Sequence, residues 1–179
     1  YSNNMAYLAL AYPDLDQSDY DWIQDIRKKH DERYFNVVQP HFTLVFSTNK
    51  LGLEDFTQHI KEKIGRFHVF DISLDSAKVV EDDSKEFFHE FLIPSKGFDE
   101  INKIHDELYT GSLESELRHD IPFIPHIGIG TSDEEREAED VVSMVTEAQR
   151  PIIGTVSKIT IVEFDGKKVT DLLTIPLND

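Results

Sequence analysis

Two short segments of the chain answer one another, Pro40-His41-Phe42-Thr43-Leu44-Val45-Phe46 and Pro125-His126-Ile127-Gly128-Ile129-Gly130, and their histidines stand 85 residues apart in a chain of 179. Each is a proline, a histidine and then an apolar run. Unperturbed imidazole titrates at about 6.5, so a pair of histidines can supply a neutral base and a protonated acid together near neutral pH. Opening a cyclic phosphodiester needs that pair, since water must lose a proton on one side of phosphorus while the leaving ribose oxygen gains one on the other. A strand alternates its side chains, which puts His41 with Thr43 on one face and Phe42 with Leu44 on the other, and likewise His126 with Gly128. Thr43 can then donate a hydrogen bond to a non-bridging phosphate oxygen, where charge builds up. The scheme calls on no metal ion and no cofactor.

A lone H-x-T carries little weight: with eight histidines in the chain, about one such match is expected by chance. The pairing carries the argument. Both histidines follow a proline, both open an apolar run, both precede an amphipathic helix, and they fall in corresponding halves. Proline suits the first position of a strand because its missing N–H is not needed by the ladder.

The elements around these segments follow from periodicity. Residues 5–12 form an apolar run of strand length ended at Pro13-Asp14, and a helix follows with Ser18 as its cap and Trp22, Ile23 and Ile26 on its buried face. Phe35 to Val38 is read as a short extended piece. Leu53, Phe56, Ile60 and Ile64 mark a second helix closed near Gly65. Phe67 to Val80 and Phe87 to Ile93 are two strands around a polar turn. The second half repeats the order: a helix on Phe98, Ile101, Ile104 and Leu108, a polar segment from Gly111 to Arg118, the second histidine strand, and a helix with Ser132 and Glu135 as a capping box. It ends in strands Gly154 to Phe164 and Lys168 to Leu177 joined at Asp165-Gly166. The fold class expected is α+β, one domain over residues 5–179 made of two similar lobes, with 5–94 and 95–179 as approximate sequence halves. Tyr1 to Asn4, ahead of Met5, read as an expression remnant.

Composition narrows the partners. Thirty-five acidic against 18 basic residues give a net charge of −17, and the summed field opposes a long polyanion, while leaving room for a nucleotide or a short RNA end. Cysteine is absent, which excludes disulfides and thiolate chemistry and fits a reducing, cytoplasmic setting. No run of apolar residues is long enough to cross a bilayer, and a monomer is expected.

The paired segments resemble the two-histidine (2H) phosphoesterase superfamily, which includes cyclic nucleotide phosphodiesterases and the 2′-5′ RNA ligases. His41-Phe42-Thr43-Leu44 matches that family's H-x-T/S-x motif in full; His126-Ile127-Gly128-Ile129 matches in part, because Gly128 stands where a hydroxyl is usual. The resemblance implies a bilobal, pseudo-symmetric fold whose two sheets flank a cleft with helices outside. It also implies His41 and His126 as the catalytic acid and base in either order, and phosphate contacts at Thr43 and Gly128, the latter through its backbone. A catalytically weak module that binds nucleotides or RNA ends is the alternative, with Gly128 as its mark; a protein-interaction domain using its acidic surface is a third reading. Most of the remaining histidines, His30, His59, His68, His89, His105 and His119, are expected at the surface or at helix ends. Tyr7, Tyr12 and Phe123 are candidates for base stacking or core packing, and Arg150 and Lys158 are possible sources of positive charge.

Overall fold

Each histidine segment becomes the edge strand of its own antiparallel sheet. In the computed structural model, which describes residues 5–179, the elements run β1 (Ala6–Ala11), β2 (Asp14–Leu15), α1 (Gln17–His30), β3 (Phe42–Thr48), α2 (Leu53–Ile64), β4 (Phe70–Glu81), β5 (Phe88–Pro94) and α3 (Phe98–Leu108). A 3₁₀ turn at Gly111–Glu116 leads on to β6 (Ile127–Ser132), α4 (Glu135–Glu147), β7 (Ile152–Val156), β8 (Lys158–Phe164) and β9 (Val169–Pro176). The expression remnant read at residues 1–4 lies outside the described residues. One sheet has the order β3-β1-β8-β9, and the other, read from the corresponding edge, β6-β5-β4-β7-β2. Both draw strands from both sequence halves. This is the α+β, pseudo-symmetric arrangement expected.

The correspondence reaches single residues. In β3, Thr43 faces Leu10 and Val45 faces Ala9, so Leu44 has no opposite number; in β6, Gly128 faces Phe91 and Gly130 faces Glu90, so Ile129 has none. A bulge therefore falls three residues after each histidine, and such an extra residue bends its strand and re-aims the neighbouring side chains. Leu44 and Ile129 are both buried, so each bulge is pinned by packing. The main core gathers Tyr7, Phe42, Val45, Phe56, Ile60, Ile101, Ile104 and Leu108 on one side and Ile72, Leu92, Val141, Val145 and Ile152 on the other. Helices α2 and α3 pack on the first sheet, α4 on the second, and α1 lies against β6. No helix among the described residues is long and apolar enough to cross a membrane.

Four local expectations are corrected. Residues 32–37 turn instead of extending, with the Phe35 N–H donating to Asp31 O at 2.9 Å and the Val37 N–H to Tyr34 O at 2.9 Å. The expected strand 154–164 is two strands in different sheets, because the chain crosses over at Ser157, whose hydroxyl donates to Asp14 at 2.6 Å. Ser132 does not cap α4; its hydroxyl donates to Glu90 Oε1 at 3.0 Å, and Glu134 holds the cap position without a side-chain bond. Ser18 lies inside α1, whose cap position is Asp16. In the last two cases a tertiary or sequence-adjacent alternative outweighs a cap worth only about 1 kcal/mol.

Candidate active site

Proline and histidine act together in the same way at both sites. His41 Nδ1 lies 2.7 Å from the carbonyl oxygen of Gln39, and His126 Nδ1 lies 2.6 Å from that of Ile124. In each case the acceptor is the residue before the proline, two positions back. A carbonyl only accepts, so Nδ1 carries the proton and Nε2 keeps its lone pair. Among the described residues neither Nε2 has a protein partner. Two rings in the same tautomer, each locked by its own backbone, are what acid–base work on a bound group requires.

Both rings are partly exposed by area yet walled in on most sides. Burial drives the His41 imidazole down to about 4, against the pull of the Gln39 carbonyl and with a further push from the Arg27 charge. Burial likewise takes His126 to about 4, opposed by Ile124 O and aided by the charges of His41 and His89. A charge on one ring is thus felt at the other. At pH 7 both imidazoles are therefore neutral, and an anion held between them would raise both pKa values and allow one ring to protonate.

The surroundings of the two rings differ. His126 stacks on Phe91, with centroids 3.6 Å apart and planes 18° from parallel. Phe91 in turn stacks on His89 at 5.1 Å, and His89 Nε2 meets Asp82 Oδ1 at 2.7 Å. His41 instead meets the edge of Tyr12 at 6.4 Å, and the Tyr12 hydroxyl donates to Asp171 at 2.8 Å. Thr43 is partly exposed beside His41, as the alternation requires, and Phe42 and Leu44 point into the core.

The two glycines of β6 do different things. A Cβ placed on Gly130 would come 2.8 Å from Glu90 Oε1, so this glycine makes room for a buried side chain. A Cβ on Gly128 would meet nothing within 4 Å, and Gly128 is not among the positive-φ glycines. Neither packing nor backbone conformation demands a glycine there.

Sequence reasoning missed the carbonyls of Gln39 and Ile124, although the repeated proline marks them, and it missed Phe91 and His89, although Phe87, His89 and Phe91 alternate along one strand face. Other candidates lie elsewhere. Tyr7 is buried against Phe56 at 5.9 Å. Phe123 stacks on His105 at 3.7 Å and meets the half-exposed Phe46 edge-on at 6.4 Å. Arg150 pairs with Asp19 at 2.7 Å and Lys158 with Asp14 at 3.3 Å, so both cations are engaged in ion pairs. Of these histidines, His59 is an exception to the expectation, buried in the middle of α2 with Nε2 2.7 Å from Leu108 O, whereas His105 lies in the last turn of α3, as a helix-end residue, but is buried there among Asp106, Tyr109 and Phe123. Two concavities, of about 590 Å³ at the start of α3 and about 260 Å³ between Trp22 and Val145, contain neither His41 nor His126.

The family model described as the 2′-5′ RNA ligase superfamily matches residues 13–168. No curated protein sequence matches the chain. Among solved structures, E. coli LigT complexed with NADP+ is 18% identical with a TM-score of 0.60, over 98% of this chain and 99% of that one. E. coli LigT complexed with 3′-AMP is 14% identical with a TM-score of 0.59, over 98% and 99%. Kluyveromyces marxianus Usb1 is 11% identical with a TM-score of 0.59, over 97% and 98%. At these identities the likeness establishes the fold, and the two-histidine phosphoesterase resemblance of the sequence is borne out.

Proposed function

The chain belongs to the 2′-5′ RNA ligase superfamily, and from that membership and its paired histidines we propose a phosphoesterase that opens 2′,3′-cyclic phosphates or 2′-5′-linked nucleotides at short RNA ends. One observation carries the reading: both imidazoles are fixed by the same Nδ1–H to carbonyl bond at bulged edge strands of two matching sheets, each with a free Nε2. One Nε2 takes the proton from water as its oxygen attacks phosphorus. The other, protonated once the anion is bound, delivers its proton to the departing ribose oxygen. Thr43 donates to a non-bridging oxygen as charge accumulates there, and backbone N–H or water does so beside Gly128. The scheme uses no metal and no cofactor, and either ring can serve as base. In this reading residues 5–179 are a single monomeric domain whose lobes share the cleft, working in the cytoplasm on small nucleotides, in keeping with relatives solved with 3′-AMP and NADP+.

His41→Ala and His126→Ala test it, assayed in EDTA on 2′,3′-cyclic nucleotides and 2′-5′-linked dinucleotides. Each variant is expected to stay folded and to lose turnover by a factor of about 10³ or more. Near-full activity in both would refute the assignment. The missing hydroxyl at Gly128 favours a second reading, a receptor for nucleotides or RNA ends with little chemistry; binding without product in the same panel would establish it.

A further inference from the structure

Arg27 and Asp31 lie one turn apart at the end of α1 and are 1% and 2% exposed, with Nε and Oδ2 3.8 Å apart. A buried ion pair one turn long does little for stability, because desolvation offsets most of its attraction. Its contacts reach the chain just before the first histidine segment and just after the second. Arg27 Nη2 donates to Val38 O at 2.6 Å and to Tyr34 O at 3.3 Å, Nη1 donates to Gln24 Oε1 at 2.7 Å, and the guanidinium sits 5.8 Å from the Phe35 ring. It thereby folds residues 34–38 into the turn that sets down Gln39, whose carbonyl locks His41. Asp31 Oδ1 accepts from the Tyr34 N–H at 3.2 Å and from the Thr131 hydroxyl at 3.4 Å, and Thr131 lies on β6, five residues after His126. Next to Thr131, Gly130 lets His30 and the buried Glu90 close in on β6.

We infer that the Arg27–Asp31 pair is a positioning device that holds the two histidine segments in one fixed relation, with Arg27 setting the His41 anchor and Asp31 tying the same turn to β6. The kinetic part of this inference rests on the phosphoesterase reading; the placement of His41 does not. The groups facing His41 are Arg27 of α1, the Gln39 carbonyl of its own segment, Tyr12 after β1 with its Asp171 partner, and His126 across the site. Of these Arg27 is the fixed cation, so its charge opposes protonation of His41.

The test compares Arg27→Lys with Arg27→Gln by kinetics on a 2′,3′-cyclic nucleotide and by NMR titration of the histidine ring protons. Lysine keeps the charge but has no fork to hold two carbonyls, so kcat is expected to fall at least about tenfold with KM within about twofold, and the His41 midpoint to stay put. Glutamine removes the charge as well, so kcat falls as far and the His41 midpoint rises toward the free value while that of His126 moves less. The double variant Arg27→Met/Asp31→Leu leaves no buried charge unpaired and carries the same expectation for His41. A purely structural role would lower melting temperatures and leave kcat and the His41 midpoint of the folded variants unchanged; that result overturns the inference. If the chain opens no phosphodiester at all, the placement is read from the His41 ring tautomer by 15N shifts: loss of the Nδ1–H form held by the Gln39 carbonyl in Arg27→Lys supports it, and retention of that form refutes it.

Discussion

Gly128→Thr is the perturbation that separates a lost function from an unused position. The added Cβ meets nothing within 4 Å, and the backbone there needs no positive φ. The substitution should therefore fold without strain, and replacing glycine within a strand should add about 0.5–1 kcal/mol of stability. Because the register makes Gly128 the counterpart of Thr43, with a bulge on its C-terminal side in both strands, the new hydroxyl lies on the His126 side of the site as Thr43 lies beside His41. One well-placed donor to a developing phosphate charge is worth about 3 kcal/mol, and a graft without evolved support should recover about a third to a half of that. About tenfold in kcat on 2′,3′-cyclic AMP follows, with KM little changed. Thr43→Ala, assayed alongside, should lose about a hundredfold. The reasoning fails if Gly128→Thr melts at or above the parent temperature and its kcat does not rise, while Thr43→Ala shows the expected loss; the two positions would then not be equivalent.

Other outcomes follow from the same geometry. Gly130→Ala, with its Cβ 2.8 Å from Glu90 Oε1, should cost about 1–3 kcal/mol in urea unfolding, in contrast to Gly128. His41 and His126 have folded pKa values near 4, below the free value of about 6.5, so the unfolded chain binds protons first as pH falls. Stability should decline from pH 6.5 toward pH 4, by a few kcal/mol after allowance for partial exposure, and each His→Ala variant should flatten that decline. Glu90 titrates the other way: burial lifts its carboxyl to about 7, the charges of Asp31 and Glu137 add to this, and Ser132 opposes it. Its contribution is present below about pH 4.5 and lost as pH rises through 7, so Glu90→Gln should stabilise the protein at pH 8 and leave it unchanged at pH 5 in urea titrations. Phe91→Leu removes the ring stacked on His126 and should lower kcat about tenfold for a stability loss of about 1–2 kcal/mol, read by kinetics and thermal melts together.

Local pattern made much of this protein legible. Apolar spacing of three and four placed α2 and α3; alternation placed β3 and β6, and runs of strand-forming residues placed β1 and β5; and two Pro-His segments 85 residues apart mark the candidate site. Those signals work because helix and strand periods are written in neighbouring residues. The tertiary structure decided the rest. The break of 154–164 at Ser157 depends on Asp14, more than a hundred residues away, and the turn at 32–37 depends on a buried guanidinium whose burial no local window reveals. The ring under His126, the open space beside Gly128 and the crowding at Gly130 arise only when strands from both halves pair. Periodicity is a property of consecutive residues, whereas stacking, desolvation and steric room belong to atoms that folding brings together from distant parts of the chain.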